Sequence, residues 1–169
     1  MTGGAPERND ERVCALINAG MTIAVAESCT GGGVGEAITA VAGSSGVFLG
    51  GVIAYANDVK RNVLGVPAAV LDAHGAVSEE TARAMTDGVK RLCGADVAIA
   101  VTGIAGPDGG TPEKPVGTVW FGLSDPRGIR AVRRLFGGER SHVRAQAVAY
   151  ALELLYDTVR AVSNSEKER

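Results

Sequence analysis

The hydrophobic positions of this chain change repeatedly between the spacing of a helix and the unbroken run of a short buried strand. Near the start, Val13, Leu16 and Ile17 recur at helical spacing, and Gly20 follows where that helix would end. The next segment, MTIAVAES (21–28), is a short apolar run with a polar end, which is typical of a buried strand. The chain is therefore predicted to begin with a helix followed by a strand.

The same alternation predicts four more strands and five more helices. The strands are the runs VFLGGVIAYA (47–56), ADVAIAVTGIAG (95–106), GTVWFGL (117–123) and IRAVRRLF (129–136). The first of these helices follows Val34, Ile38 and Val41 and stops at Gly43, and two short helices begin after an Asn57 N-cap and at Pro67. Ser78 caps the fourth helix, whose apolar stripe consists of Ala82, Met85, Val89 and Leu92. The fifth is a C-terminal helix with inward-facing Val148, Leu152, Leu155 and Val159.

The order of these elements predicts the fold class. Helices separate the early strands, whereas the turn-like SDPRG (124–128) joins the last two strands as a hairpin. This order is typical of an α/β protein, a three-layer α/β/α sandwich with a mixed, mostly parallel sheet. A length of 169 residues suits a single domain, 1–169, with an ordered core from about 7 to 162 and frayed polar ends.

Charge and cysteine content limit the classes of partner. With 17 basic and 19 acidic side chains, the formal charge of −2 creates no general field for nucleic acid or a membrane surface, so we expect neither as a partner. Cys14, Cys29 and Cys93 have no metal-like or redox-pair spacing, and no segment resembles a signal peptide or a membrane span. These features predict a cytoplasmic protein that holds any anionic ligand with local groups.

Polar residues follow three of the predicted strands: Ser28 the first, Tyr55 and Asn57 the second, and Thr102 the third. Because the carboxyl ends of parallel strands meet at one edge of a sheet, we expect these side chains to converge. Lys60 lies on the first turn of the helix after Tyr55, close to that edge.

The stretch AVAESCTGGGVG (24–35) is compatible with a phosphate cradle, a nucleophile or a plain turn. It lacks both the lysine of a P-loop and the glycine spacing of a dinucleotide fingerprint. If Ser28 is a nucleophile, its base is His74, His142 or Lys60, although His74 is more typical of a helix end and His142 of a surface. Spacing alone leaves these interpretations open.

Arg140 and Arg144 stand four residues apart at the start of the last helix, where the helix dipole disfavours cations. The two arginines are either surface residues that balance the charge of Glu139, or they hold an anion between them.

Five motifs occur in order between about residues 10 and 158: AESCTGG, YANDVKRNVLGV, VSEETARAM, AVTGIAGPDGGTPEKPVGTV and GERSHVRAQAV. At these motifs the chain resembles the CinA C-terminal domain family, the nicotinamide-nucleotide amidohydrolases. The resemblance implies hydrolysis of the carboxamide of nicotinamide mononucleotide (NMN) to nicotinate mononucleotide and ammonia. It also implies that the protein forms a homo-oligomer and binds a small nucleotide as its substrate.

Carried over by motif, the resemblance assigns the nucleophile to Ser28 and the base to Lys60, with Tyr55 and Thr102 relaying the proton or holding the lysine. A neutral Lys60 requires a pKa about three units below its usual value, supplied by burial and a nearby cation. Main-chain N–H groups of the 29–32 turn stabilise the oxyanion, the arginine of the GER motif binds the phosphate, and no metal or cofactor is required. The residues expected to bind substrate are Cys29, Thr30, Gly31, Gly32, Asn57, Gly103 and Arg140.

Two positions depart from the family pattern, namely Gly33, where a larger apolar residue is usual, and Glu139, where aspartate is common. Neither touches the expected chemistry. The alternatives are a catalytically silent nucleotide-binding module and an amidase for another nucleotide-like carboxamide.

Overall fold

The computed structural model describes residues 5–167, which form five strands and six α-helices. In chain order the elements are α1 (Ala5–Ala19), β1 (Ile23–Glu27), α2 (Gly33–Thr39), β2 (Phe48–Ile53), α3 (Asn57–Asn62), α4 (Ala68–His74), α5 (Glu79–Cys93), β3 (Val97–Gly103), β4 (Thr118–Asp125), β5 (Gly128–Leu135) and α6 (Arg140–Lys167). No helix among these residues has the length and apolar character needed to cross a membrane.

The five strands form one sheet in the order β2-β1-β3-β4-β5. β1 pairs in parallel with β2 and β3, whereas β4 is antiparallel to β3 and β5. Four strands therefore point one way and β4 points the other, which confirms the predicted mixed sheet, although its adjacent pairs divide evenly between parallel and antiparallel. The predicted hairpin is also confirmed, since Asp125 pairs with Gly128 across it.

Helices cover both faces of the sheet, and the side chains of β3 alternate between two cores. Ile99 and Val101 pack in a core formed with α1, α2 and α6, whereas Ala98 and Ala100 pack in a second core with Met85 of α5. This alternation buries the strand on both sides and confirms the predicted three-layer sandwich.

Local sequence signals predict both ends of α5 correctly, but they predict other helix features incorrectly. The Ser78 side chain accepts a main-chain hydrogen bond at the start of α5, and Gly94 ends the helix with a φ of 66°, as predicted. Three expectations are wrong. α2 ends at Thr39 rather than at a stop at Gly43. Ala56 rather than Asn57 holds the N-cap position of α3, and Leu92 is exposed because no described element covers the last turn of α5 on that side.

The ends of the chain also differ from expectation. α6 continues to Lys167, so the charged segment from residue 163, predicted to fray, is helical to that point. Residues 1–4 and 168–169, which belong to the predicted frayed ends, lie outside the described residues.

The strand order places the carboxyl ends of β1, β2 and β3 side by side, with β1 in the middle. α2, which follows β1, packs on one face, whereas α5, which precedes β3, packs on the other. The connections thus diverge between β1 and β3, where an open α/β sheet forms a crevice for ligands.

Candidate active site

Ser28 is the first residue after β1 and lies at this crevice. Its N–H donates to the Val101 carbonyl at 2.9 Å, which extends the pairing of β1 with β3 by one residue. The side chain is buried, with 8% exposure of the residue. The sheet therefore holds the serine main chain and leaves its hydroxyl for other contacts.

Lys60 on α3 is the hydrogen-bond partner of that hydroxyl. Its Nζ lies 3.1 Å from the Ser28 Oγ, 2.8 Å from the Ala54 carbonyl oxygen and 3.0 Å from the Tyr55 carbonyl oxygen. Lys60 is only 1% exposed, and burial lowers its pKa because it disfavours the charged ammonium. The expected nearby cation is not among the causes of this lowering.

The ammonium form of Lys60 donates to all three oxygens, and a neutral amine fits the same three contacts. It has two N–H bonds, which match the two carbonyl oxygens, and one lone pair, which remains for the hydrogen of the Ser28 hydroxyl. In that state the serine donates and the lysine accepts their shared hydrogen bond. The pair is thus arranged to move the serine proton to lysine, the step that turns a hydroxyl into a nucleophile.

A cavity of about 200 Å³ opens beside this pair. Its lining includes seven of the residues singled out from the sequence: Ser28, Cys29, Tyr55, Lys60, Thr102, Gly103 and Arg140. The remaining lining residues are Ala76, Val77 and Ala105. Four residues expected to bind substrate are not part of the lining: Thr30, Gly31, Gly32 and Asn57.

The hydroxyls of Tyr55 and Thr102 have other partners than expected. The Tyr55 hydroxyl accepts a hydrogen bond from Arg140 at 3.0 Å, and the Thr102 hydroxyl donates to the Ala76 carbonyl at 2.7 Å. Within the described part of the chain, neither hydroxyl bonds to Lys60. Tyr55 therefore holds the lysine through its main-chain carbonyl rather than its hydroxyl, and the expectation that Thr102 holds the lysine is wrong.

The Arg140 and Arg144 guanidiniums bond to different groups. The Arg140 guanidinium lines the cavity, donating to the Gly106 carbonyl at 2.8 Å and to the Tyr55 hydroxyl, and no described carboxylate lies within ion-pair distance of it. Arg144 instead donates to the main-chain carbonyls of residues 29–30. Of these two arginines, Arg140 lines the cavity and Arg144 does not.

Sequence reasoning missed Glu27, the last residue of β1. Its carboxylate accepts hydrogen bonds from the N–H groups of Gly32 at 3.1 Å, Val34 at 3.0 Å and Gly35 at 2.8 Å, although the residue is only 1% exposed. The signal was present, since a carboxylate in an otherwise apolar strand must be paired when it is buried. Glu27 therefore holds the glycine turn through these hydrogen bonds, and it occupies the Gly32 N–H that was expected to stabilise the oxyanion.

Two N–H groups of the turn remain for that role. The Gly31 N–H is occupied, because it donates to the Ser28 carbonyl at 3.1 Å. Among residues 5–167, no acceptor is found for the Thr30 N–H, and the Cys29 N–H is directed only to its own thiol. The expected oxyanion donors are thus reduced to the first two residues after the serine.

The Cys29 thiol is unsuited to attack. It packs in the apolar core with 5% exposure, and burial raises its pKa to about 11. At neutral pH the thiol stays protonated, whereas the thiolate is the reactive form. Cys29 contributes packing and its main chain.

Neither histidine reaches the cavity. His74 ends α4, where its Nδ1 lies 3.5 Å from a Glu80 carboxylate oxygen and its carbonyl accepts a hydrogen bond from Lys114 at 2.7 Å. His142 is exposed on α6. Of the three bases that the sequence left open, only Lys60 contacts Ser28. No group of three or more His, Cys, Asp or Glu side chains in the described chain is placed to hold a metal ion.

The fold and site define a three-layer α/β protein with a buried serine–lysine pair at the carboxyl end of its sheet. The family described as the CinA C-terminal domain matches residues 7–159. The chain therefore belongs to the CinA C-terminal domain family.

Relatives and solved structures agree with this assignment. The chain is 58% identical over 135 residues to a CinA-like protein of Gemmatimonas aurantiaca, which covers 80% of this chain and 32% of the relative. It is 54% identical over 152 residues to a CinA-like protein of Anaeromyxobacter dehalogenans, and this match covers 90% of this chain and 37% of the relative. The chain thus spans about a third of the length of the curated relatives it matches.

Two crystal structures have the same fold. A CinA superfamily protein from Klebsiella pneumoniae superposes with a TM-score of 0.88 at 39% identity, covering 94% of this chain and 99% of that protein. A competence/damage-inducible protein from Agrobacterium tumefaciens gives a TM-score of 0.87 at 39% identity, and the match covers 95% of this chain and 98% of that protein.

Proposed function

We propose that this protein is an amidase that hydrolyses the carboxamide of NMN to nicotinate mononucleotide and ammonia. The observation that carries the proposal is the buried contact of Lys60 with Ser28, 3.1 Å between Nζ and Oγ, at the wall of a cavity. Lys60 forms no ion pair with a described carboxylate and bonds instead to a serine hydroxyl. A buried lysine in this arrangement serves proton transfer better than stability.

In the first half of the reaction, the Ser28 Oγ attacks the carboxamide carbon while its proton passes to the neutral Lys60. The carbonyl oxygen becomes an oxyanion, for which the N–H groups of Cys29 and Thr30 are the candidate donors. The tetrahedral intermediate then collapses, the C–N bond breaks, and Lys60 gives its proton to the departing ammonia. The product of this half is an acyl ester on Ser28.

In the second half, a water molecule attacks the ester carbon and gives a proton to Lys60. Collapse of the second intermediate breaks the bond to Ser28, whose oxygen takes that proton back. Nicotinate mononucleotide leaves, and the enzyme returns to its starting state. One lysine thus acts as base and acid in turn.

Arg140 supports a nucleotide as the substrate. Its guanidinium stands beside the cavity without a carboxylate partner among the described residues, and a bidentate cation of this kind suits a phosphate. We assign the 5′-phosphate of NMN to Arg140.

The proposal is tested by incubating the purified protein with NMN and measuring ammonia and nicotinate mononucleotide. Stoichiometric release of both products, with EDTA present, is the expected result. Binding of NMN by calorimetry without turnover would favour a nucleotide-binding module, and turnover of another nucleotide-like carboxamide alone would favour a different amidase.

A further inference from the structure

Arg144 has contacts unlike those of an ordinary surface arginine. From α6 it reaches the turn that carries Ser28, where its Nε donates to the Cys29 carbonyl at 3.1 Å and its Nη2 to the Thr30 carbonyl at 3.2 Å. It forms no ion pair with any described carboxylate. Its guanidinium is therefore devoted to two successive peptide groups of one turn.

The turn is thus held from two sides by side chains of opposite charge. Glu27 accepts the N–H groups at the far end of the turn, and Arg144 donates to the carbonyls at the near end. Charge-assisted bonds of this type are stronger and more directional than bonds between neutral groups. Together they restrict the peptide planes between Ser28 and the first turn of α2.

The contact to the Cys29 carbonyl also determines where the next N–H points. In a trans peptide the C=O and N–H bonds point in opposite directions, so a carbonyl held toward Arg144 turns the Thr30 N–H away from it. Within the described chain, the Thr30 N–H has no acceptor, and the Thr30 hydroxyl is buried without a partner. Polar hydrogens left unpaired in a buried turn indicate a missing acceptor.

We propose that Arg144 is a positioning residue for the oxyanion. It does not line the cavity; it holds the 29–30 peptide so that the Thr30 N–H is aligned before the oxyanion forms. This inference rests on the proposed amidase function. The oxyanion exists only at and near the transition state, so the alignment affects kcat far more than KM.

The test compares Arg144→Gln with the wild type on two substrates, NMN and its thioamide analogue, in which sulfur replaces the carboxamide oxygen. Sulfur is a weak hydrogen-bond acceptor, so aligned donors favour the oxygen substrate. In Arg144→Gln we expect kcat on NMN to fall by roughly 10- to 100-fold, less than the loss of a whole oxyanion donor, with KM nearly constant. We also expect the preference for oxygen over sulfur to shrink, and the pH profile set by Lys60 to stay unchanged.

The controls separate positioning from general damage. Arg160→Gln removes another arginine of α6, stacked on Tyr156, and is expected to leave both rates unchanged. Arg144→Lys, which offers a single point charge in place of a fork, is expected to fall between wild type and Arg144→Gln and carries the test if the glutamine variant does not fold. An unchanged oxygen-to-sulfur ratio in folded Arg144 variants would overturn the positioning role. Wild-type protein that turns over neither substrate would instead overturn the proposed function, and this inference with it.

Discussion

The Nζ of Lys60 lies 3.1 Å from the Oγ of Ser28, across a separation of 32 residues in the sequence. Both residues are almost fully buried, so the ammonium form of the lysine is deprived of hydration and its pKa is lowered. The reactivity of the serine therefore depends on the protonation state of the lysine.

Activity on NMN is expected to rise with pH through the lowered pKa of Lys60 and to level off above it, because only the neutral amine accepts the serine proton. Lys60→Arg keeps the charge but cannot accept a proton, and its kcat should fall by about 10²- to 10⁴-fold. Steady-state rates measured across the pH range check both statements, with Lys90→Arg on α5 as the control. Wild-type rates in Lys60→Arg would reject a lysine base.

Ser28→Ala is expected to abolish turnover of NMN while leaving its affinity within about threefold, because the hydroxyl forms the covalent bond and contributes little to ground-state binding. Calorimetry of NMN binding and a product assay measure the two effects separately. Cys29→Ala is the matched neighbour and should remain active, since its thiol is packed and protonated. An inactive Cys29→Ala with an active Ser28→Ala would identify the thiol as the nucleophile.

Arg140→Ala tests the phosphate contact. If the guanidinium binds the 5′-phosphate, the wild type prefers NMN to nicotinamide riboside, and the variant loses roughly 30- to 150-fold in kcat/KM on NMN, the equivalent of ~2–3 kcal/mol. The riboside, which lacks the phosphate, should lose little. Comparing kcat/KM of the wild type and the variant on both substrates forms a double-mutant-type cycle. This cycle separates the arginine–phosphate contact from general damage to the fold, which would affect both substrates equally.

A control for that cycle is Tyr55→Phe, which removes the hydroxyl that accepts from Arg140 but keeps the arginine. It should retain most of the preference for NMN. Equal losses on NMN and the riboside in Arg140→Ala would assign Arg140 to the amide chemistry or to the structure.

The stability of the protein in acid is expected to depend on Asp125 at the end of β4. Burial alone would raise the pKa of this carboxyl, but hydrogen bonds from Arg127 and Arg130 outweigh it and lower the pKa from 3.8 to about 2. The folded-state pKa lies below the unfolded one, so this stabilisation is present above about pH 4 and is lost as the pH falls toward about 2.

For Asp125→Asn we expect a loss of about 2 kcal/mol in the free energy of unfolding at neutral pH, and a shallower decline between about pH 4 and about pH 2. Urea denaturation of both proteins at several pH values measures the difference. Parallel acid profiles for the two proteins would contradict the assignment.

Local patterns in the sequence determined most of the elements and the edge of the sheet where the site lies. Apolar periodicity, the Ser78 cap and the Gly94 stop depend on neighbours within a few residues, so they are readable in the chain itself. The convergence of Ser28, Tyr55 and Thr102 also followed from local information, because each lies at the end of a predicted strand in a parallel arrangement.

Spacing in the sequence left Lys60 and the two histidines open as partners of Ser28; the resemblance assigned Lys60, and the tertiary structure shows the contact. It also separated Arg140, which lines the cavity, from Arg144, which binds the turn. It paired Glu27 with the glycine turn and excluded Asn57 from the cavity lining. These outcomes depend on how helices cross the sheet and on which main-chain groups are already occupied. Contacts between residues far apart in the chain are decided by that packing, and local spacing carries no information about them.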